Sequence, residues 1–384
     1  MMSAATTALP KITWVKVVLV VAFIVVNVAL YSHFSDHGIL PIFSPDSNTS
    51  THRGDLSFEP TRSKFNLTRS NLTQKWQALN ITVIDRSQPY STSELKKHPF
   101  LSESVVNPHN YKYVITPRVS CKDRSTIEVI ICVPISHNNF KGRETVRATW
   151  GSYANVSSHN SILVFFIGLP DMNSAEAAQT QKLILEEAAV YGDILQEDFV
   201  DSYNNLSLKS VSILKYVTFY CSKASYVLKA DDDMYVNVPF LVTTLRKHKD
   251  SNPELSAFVM GSKQVNAHPA RSSDSKWYTP VSMFSEDTYP DYVSGTAYVM
   301  SAEASWLLYE GSLRVPLFWL EDIYITGICS KKAGVVVIGN DLFSYGKPSV
   351  SGCSFRQHIS GHRYSLSEIE QIHRELYDSK TVCE

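Results

Sequence analysis

None of the six cysteines stands in a Cys-x-x-Cys pair, which argues against zinc ribbons and thioredoxin-like redox sites. The chain also lacks both Gly-x-Gly-x-x-Gly and Gly-x-x-x-x-Gly-Lys-Ser/Thr, so phosphate handling by a glycine-rich loop is not indicated. Neither sign of charge prevails: 36 Lys and Arg stand against 37 Asp and Glu, a formal net charge of −1. That balance argues against a broad basic surface and against nucleic acid as a partner, but it permits a locally basic site. There is no internal repeat.

The N-terminus is rich in what the rest of the chain uses sparingly, a long apolar run. Val17 to Tyr31 is almost wholly apolar, with Ile12 to Trp14 before it and Phe34 after it. The stretch reaches the ~20 residues that span a bilayer. Lys16 can snorkel from its near end, and the uncharged amide of Asn27 is tolerable within a spanning helix. No Ala-x-Ala cleavage site follows, so an uncleaved signal-anchor is expected at 12–34 rather than a cleaved leader. Lys11 and Lys16 precede the span, whereas Asp36 and Asp46 are the next charges after it. The positive-inside rule then puts residues 1–11 in the cytoplasm and the body on the far side, a single-pass type II arrangement.

Two features agree with a lumenal body. Sequons occur at Asn48, Asn66, Asn71, Asn80, Asn155 and Asn205, all glycosylation candidates. All six cysteines lie beyond the span, and an even count in an oxidising space permits disulfides. Cys132, inside an apolar run, also reads as a buried thiol. Residues 35–115, rich in Ser, Thr, Asn and Pro and without sustained apolar periodicity, read as a flexible glycosylated stem. The body is expected at 116–384.

Within that body the patterning alternates. Strands are expected at Ile127–Ile135, Ser161–Ile167, Tyr226–Lys229, Phe258–Gly261, Tyr298–Met300 and Val335–Ile338. Helices are expected at Ser174–Tyr191, Leu206–Cys221, Val238–Lys249, Ala302–Tyr309, Asp322–Lys331 and Leu366–Tyr377. The alternation predicts a single α/β domain built on a mainly parallel sheet covered on both faces. Ligands of such sheets bind beyond the carboxyl ends of strands.

At one such end stands Lys229-Ala230-Asp231-Asp232-Asp233. Crowded carboxylates repel one another unless a cation sits among them, and hard divalent ions take oxygen ligands and bridge them to phosphates. The plainer reading is a solvated turn or a helix cap, and for an isolated acidic triplet it is the commoner one. Two other metal readings fail on spacing. An EF-hand counted from Asp231 would need Gly and Glu where Val236 and Val242 stand. An aspartyl-phosphate phosphatase would want Thr where Tyr235 stands.

Four segments flank the triplet: Arg143-Glu144-Thr145-Val146-Arg147-Ala148-Thr149-Trp150-Gly151, Glu197 to Lys209, Tyr289 to Tyr298, and Leu320-Glu321-Asp322-Ile323-Tyr324. In this order and spacing the chain, from about Asn107 to its end, resembles the β-1,3-galactosyltransferase family of Golgi type II membrane enzymes (glycosyltransferase family 31). The resemblance implies a GT-A-type, Rossmann-like fold, a UDP-sugar donor, Mn²⁺, a glycan acceptor on glycoprotein or glycolipid, and inversion at the anomeric carbon. It implies that Asp233 ligates the metal and Asp231 faces the ribose or a metal-bound water, with Asp232 and Lys229 as further donor-site candidates. It makes Asp322 the general base, against the plainer view that Glu321 and Asp322 cap a helix; Glu321 is a second catalytic candidate or a holder of an acceptor hydroxyl. His362, at the family's spacing after Cys353, is the expected second protein ligand of the metal, with His358 as the alternative. Arg143 and Arg147 could meet the diphosphate, since a guanidinium suits phosphate oxygens, or could lie on a helix surface with Trp150 in the core. Trp277 could stack on an acceptor sugar or be interior. Many relatives have Cys where Val293 stands, so that disulfide cannot form here and no connectivity is assigned. The Leu320–Tyr324 segment looks more like the galactosyltransferase version, favouring UDP-galactose over UDP-N-acetylglucosamine. A non-enzymatic alternative is a membrane-anchored carbohydrate-binding ectodomain with structural Ca²⁺, set apart by Ca²⁺ binding without UDP affinity.

Overall fold

Strand β2, Ile127–Pro134, is apolar except at Glu128, and the computed structural model buries it at the middle of an eight-stranded sheet. The structure describes residues 90–118, 121 and 124–383. The expected anchor at 12–34 and the sequons Asn48, Asn66, Asn71 and Asn80 lie outside those residues. No helix of the described residues is long and apolar enough to cross a membrane.

The elements in chain order are α1 (Thr92–Lys97), β1 (Tyr113–Ile115), β2, α2 (Phe140–Ala148), β3 (Ser161–Leu169), α3 (Ala177–Tyr191), β4 (Ile194–Val200) and α4 (Leu206–Tyr220). They continue with β5 (Ala224–Ala230), β6 (Tyr235–Val236), α5 (Val238–Ser251), β7 (Phe258–Gln264), β8 (Tyr292–Ser301) and α6 (Ala302–Ser312). A π-helix (Ile323–Cys329) runs into α7 (Ser330–Ala333), followed by β9 (Val336–Gly339), β10 (Ser360–Gly361) and α8 (Leu366–Tyr377).

The large sheet has the order β1-β4-β3-β2-β5-β8-β7-β9. Strands β4, β3, β2 and β5 run parallel, as the alternating pattern predicts. The sheet is more mixed than expected beyond them, because β8 lies antiparallel between β5 and β7 and β1 is antiparallel on the far edge.

Strand periodicity divides the core into two layers. Ile130, Cys132, Ile162, Val164, Phe166 and Val227 face one way, against Val211 and Leu214 of α4 and Leu307 and Leu308 of α6. Val129, Ile131, Leu163, Phe165 and Leu228 face the other, against Ile184, Leu241 and the α8 residues Ile369 and Ile372. Each such fully buried side chain is worth roughly 1.5–3 kcal/mol relative to exposure.

The structure corrects the sequence reading at the start of the body and in two helices. The folded body begins before residue 116: a capping box formed by Ser91 and Glu94 starts α1, Phe100 and Leu101 are buried in the core, and β1 pairs with β4. Helix α3 starts at Ala177 rather than Ser174, since Asp171 draws Asn173 and Ser174 into a turn, and it ends on Gly192 at φ 69°. The helix expected at Asp322–Lys331 is largely a π-helix. The Thr326 hydroxyl donates to the Asp322 carbonyl and accepts the Val293 N–H, a side-chain bond that competes with the regular helical ladder.

The disulfides are Cys121–Cys221 and Cys353–Cys383, leaving Cys132 and Cys329 as buried thiols. Burial raises both thiols well above their ordinary range.

Candidate active site

Four segments meet at the end of the sheet where β2, β3 and β5 finish: the loop 135–139, Asp231–Asp233, the start of β8, and Glu321–Asp322. Pairing of β5 with β8 sets Ala230 opposite Ala297, and the Asp231 N–H donates to the Thr296 carbonyl at 3.0 Å. Gly295 is thereby laid alongside the acidic triplet.

The three aspartates have different partners. Asp231 Oδ1 accepts from Lys229 Nζ at 2.7 Å; burial lifts its pKa to about 6, with Lys229 opposing the rise. Asp232 accepts from the amide of Asn139, whose own oxygen caps α2 at Gly142, and burial raises its pKa as well. The Asp233 side chain is 44% exposed and lies 3.1 Å from His362 Nε2. Burial alone would lower the imidazole pKa, but the adjacent Asp233 carboxylate outweighs that and raises it.

His362 arrives there by backbone pairing. Strands β6 and β10 pair antiparallel, with Gly361 opposite Tyr235, and the Tyr364 N–H donates to the Asp233 carbonyl at 3.0 Å. His358 is instead turned to the Ser354 carbonyl at 2.8 Å. Among the described residues no group of three or more His, Cys, Asp or Glu side chains is placed to hold a metal ion. A carboxylate oxygen and an imidazole nitrogen side by side do fit a borderline-hard ion such as Mn²⁺ that takes its other ligands from substrate and water.

Glu321 and Asp322 stand at the opening of the π-helix. Asp322 accepts from its neighbour Ile323 N–H at 2.9 Å, so the capping role is real, and from Gly295 N–H at 3.2 Å. Burial, reinforced by the Glu321 charge, pushes its pKa up to about 6, a value suited to accepting a proton near neutral pH. Glu321 does not occupy the catalytic or acceptor-binding place expected of it. It is 7% exposed, with Oε1 taken by Ser210 at 2.7 Å and Tyr298 at 2.8 Å and Oε2 facing Lys229 at 3.4 Å.

Three further expectations are corrected. Arg143 is fully buried, paired with Glu187 at 2.6 Å and bonded to the Ser136 and His137 carbonyls. Arg147 spans Glu187 at 2.6 Å and Asp193 at 2.7 Å. These guanidiniums are committed to carboxylates and not free for a diphosphate, and Arg143 braces the 135–139 loop from behind. Lys229, also expected to touch the donor, is 3% exposed and lies beneath the carboxylates.

Trp277 is not interior: it is 53% exposed in the loop between β7 and β8. Its neighbour Lys276 lies 4.3 Å over the Tyr203 ring, which meets Trp319 edge-on. Asn155 is exposed, whereas the Asn205 amide donates to the Val200 carbonyl.

Several residues that sequence reasoning passed over complete the floor. Asp201 accepts from the His137 and Gly168 N–H groups and pairs with Lys209 at 2.8 Å, both almost wholly buried. Burial would raise the Asp201 carboxyl, but His137 and Lys209 prevail and hold it below its ordinary value. Lys209 also donates to the Ile135 carbonyl at 2.7 Å. One legible signal was a lysine in the first turn of a helix, four residues after the sequon at Asn205.

A family model described as Galactosyltransferase matches residues 141–341. The mouse and human proteins named Beta-1,3-galactosyltransferase 1 are each 31% identical over 298 residues, 77% of this chain and 88% of theirs. Human Beta-1,3-galactosyltransferase 2 is 29% identical over 377 residues, 92% of this chain and 86% of its own length. Among solved structures, the apo form of the bifunctional glycosyltransferase WbbM is 12% identical with a TM-score of 0.34, covering 67% of this chain and 51% of that one.

Proposed function

Because the chain belongs to the galactosyltransferase family, we propose that it is an inverting β-1,3-galactosyltransferase that moves galactose from UDP-galactose to a hydroxyl of a glycan acceptor. It is a hexosyltransferase enzyme; the donor, the linkage, the metal and the site roles are the parts proposed. The observation that carries the mechanism is the separation of two kinds of carboxylate at one sheet end. Asp233 stands exposed beside His362, and Asp322 is held by backbone N–H groups with a raised pKa.

Asp233 and His362 would hold Mn²⁺, which when bound supplies positive charge to the leaving diphosphate. Asp231 and Asp232, fixed by Lys229 and Asn139, line the donor side. Asp322 accepts the acceptor hydroxyl's proton as that oxygen bonds the anomeric carbon and the bond to UDP breaks. The proton ends on Asp322 and the electron pair of the broken bond leaves with UDP. A single displacement of this kind inverts the anomeric carbon. Trp277 offers an exposed ring on which an acceptor sugar can stack.

The expected setting is the Golgi membrane, with the span at 12–34 as anchor and the body lumenal. Two disulfides suit an oxidising lumen. The decisive assay follows UDP release with Mn²⁺, a panel of UDP-sugars and glycan acceptors. Turnover restricted to UDP-galactose supports the proposal. Preference for UDP-N-acetylglucosamine reassigns the donor, and Ca²⁺ binding without UDP affinity removes catalysis.

A further inference from the structure

We propose that Lys229 is a positioning residue that ties the donor-side carboxylates to the general base through Gly295; the inference rests on Asp322 being that base. An ammonium has three donors; here two hydrogen bonds and one longer ion pair engage it. Lys229 Nζ meets Asp231 Oδ1 at 2.7 Å, the Gly295 carbonyl, and Glu321 Oε2 at 3.4 Å. Nothing is left to offer a phosphate, and the side chain is closed off from solvent. A buried charge is tolerated only when well paired, and these partners belong to three separate segments, the acidic triplet after β5, β8 and the opening of the π-helix.

Gly295 is the relay. Its carbonyl is held by Lys229, and its N–H points at Asp322 Oδ2, 3.2 Å away. There is no room for a side chain: a Cβ at this position would sit 2.9 Å from Glu321 Oε2 and 3.1 Å from Asp322 Cβ. Asp231, Lys229, Gly295 and Asp322 therefore form one contiguous chain of contacts across the floor of the site. Glu321 steadies it from the side through Ser210 and Tyr298. The orientation of the base depends on the group that sits under the donor.

The test uses the full-length protein with Mn²⁺, UDP-galactose and a glycan acceptor, and compares Lys229→Met, Gly295→Ala and the double variant, with Asp322→Asn as control. Gly295→Ala, whose methyl must displace the Glu321 carboxylate and Asp322, is expected to lower the melting temperature, to keep UDP affinity and to lose about 100-fold in kcat, the scale of a misplaced reacting group. Lys229→Met is expected to lose kcat to a similar degree and also to weaken UDP binding through Asp231. The double variant is expected to have a kcat no lower than the worse single variant, because both changes cut one path. Losses that multiply, or a Lys229→Met enzyme with normal kcat and only a raised donor KM, overturn the inference. If Lys229→Met does not fold, Gly295→Ala decides alone: normal kcat at normal UDP affinity overturns the relay. A fully active Asp322→Asn enzyme identifies the base assignment as the failing step, and the relay falls with it.

Discussion

Glu321 and Asp322 are neighbours in the chain with separate sets of partners. Glu321 is gripped by the side chains of Ser210, Tyr298 and Lys229, whereas Asp322 accepts, among the described residues, from the backbone N–H groups of Gly295 and Ile323. A carboxylate saturated by side chains serves the scaffold; one steadied by amides keeps lone pairs for a reacting proton. Asp322→Asn is therefore expected to lower kcat by about 10²–10⁴-fold, the usual range for losing general base catalysis, while Mn²⁺-dependent UDP binding persists. Glu321→Gln is expected to lower the melting temperature more than it lowers kcat. Steady-state kinetics beside calorimetric UDP titration separates the two.

The acidity of Asp322 sets a pH limit. Its pKa is pushed up to about 6, and only the ionised form accepts a proton. Above that pH the base is ready. As pH falls through about 6 it becomes protonated, and kcat should drop by about tenfold per unit. A pH–rate profile that stays flat down to pH 4.5 would move the base elsewhere.

Removing either member of the Asp233–His362 pair tests the metal assignment. Asp233→Ala is expected to abolish transfer and Mn²⁺-dependent UDP binding while the circular dichroism spectrum stays native, since the Asp233 side chain is 44% exposed. His362→Ala is expected to weaken Mn²⁺-dependent UDP binding in the same direction. His358→Ala, whose ring is engaged with Ser354, should leave Mn²⁺ binding as it is. A metal titration followed by UDP affinity reads all three.

Arg143 makes the opposite kind of prediction. Its fully buried guanidinium faces Glu187, so Arg143→Ala leaves a buried carboxylate short of a partner. The expected cost is about 3–5 kcal/mol of stability, seen as a lower urea midpoint. In the protein that remains folded the donor KM should be close to wild type. A selective rise in donor KM with unchanged stability would restore the diphosphate contact first expected of it.

The disulfides can be checked by mass. Peptides joined as Cys121–Cys221 and Cys353–Cys383 are expected under non-reducing digestion, with Cys132 and Cys329 alkylated only after denaturation. Cys353→Ser opens a loop between residues 30 apart and should cost about 3 kcal/mol.

Much of the core was legible because its strands are long apolar runs. Ile127–Pro134 and Ser161–Leu169 could hardly be anything else. Strand β4 escaped notice for a physical reason. Gln196 and Glu197 are wholly buried there, paired with Gln181 and with His109 and Lys215, so its polar letters imitate a loop. The acidic triplet and Asp322 were readable as chemistry, but their partners were not. Lys229 and Arg143 look like donor-site cations on paper; burial shows which carboxylates already hold them. The value of Gly295 lies in the absence of a side chain and in which way its amide points, and neither property appears in a string of letters.

The pairing of β6 with β10 joins Asp233 to His362, a residue made well after it. A nascent chain displays its acidic triplet before it receives the imidazole. Termination between residues 340 and 361 thus keeps every strand of the eight-stranded sheet in the chain but leaves Asp233 without its imidazole partner. The strands of the large sheet can therefore all be present before the Asp233–His362 pair exists.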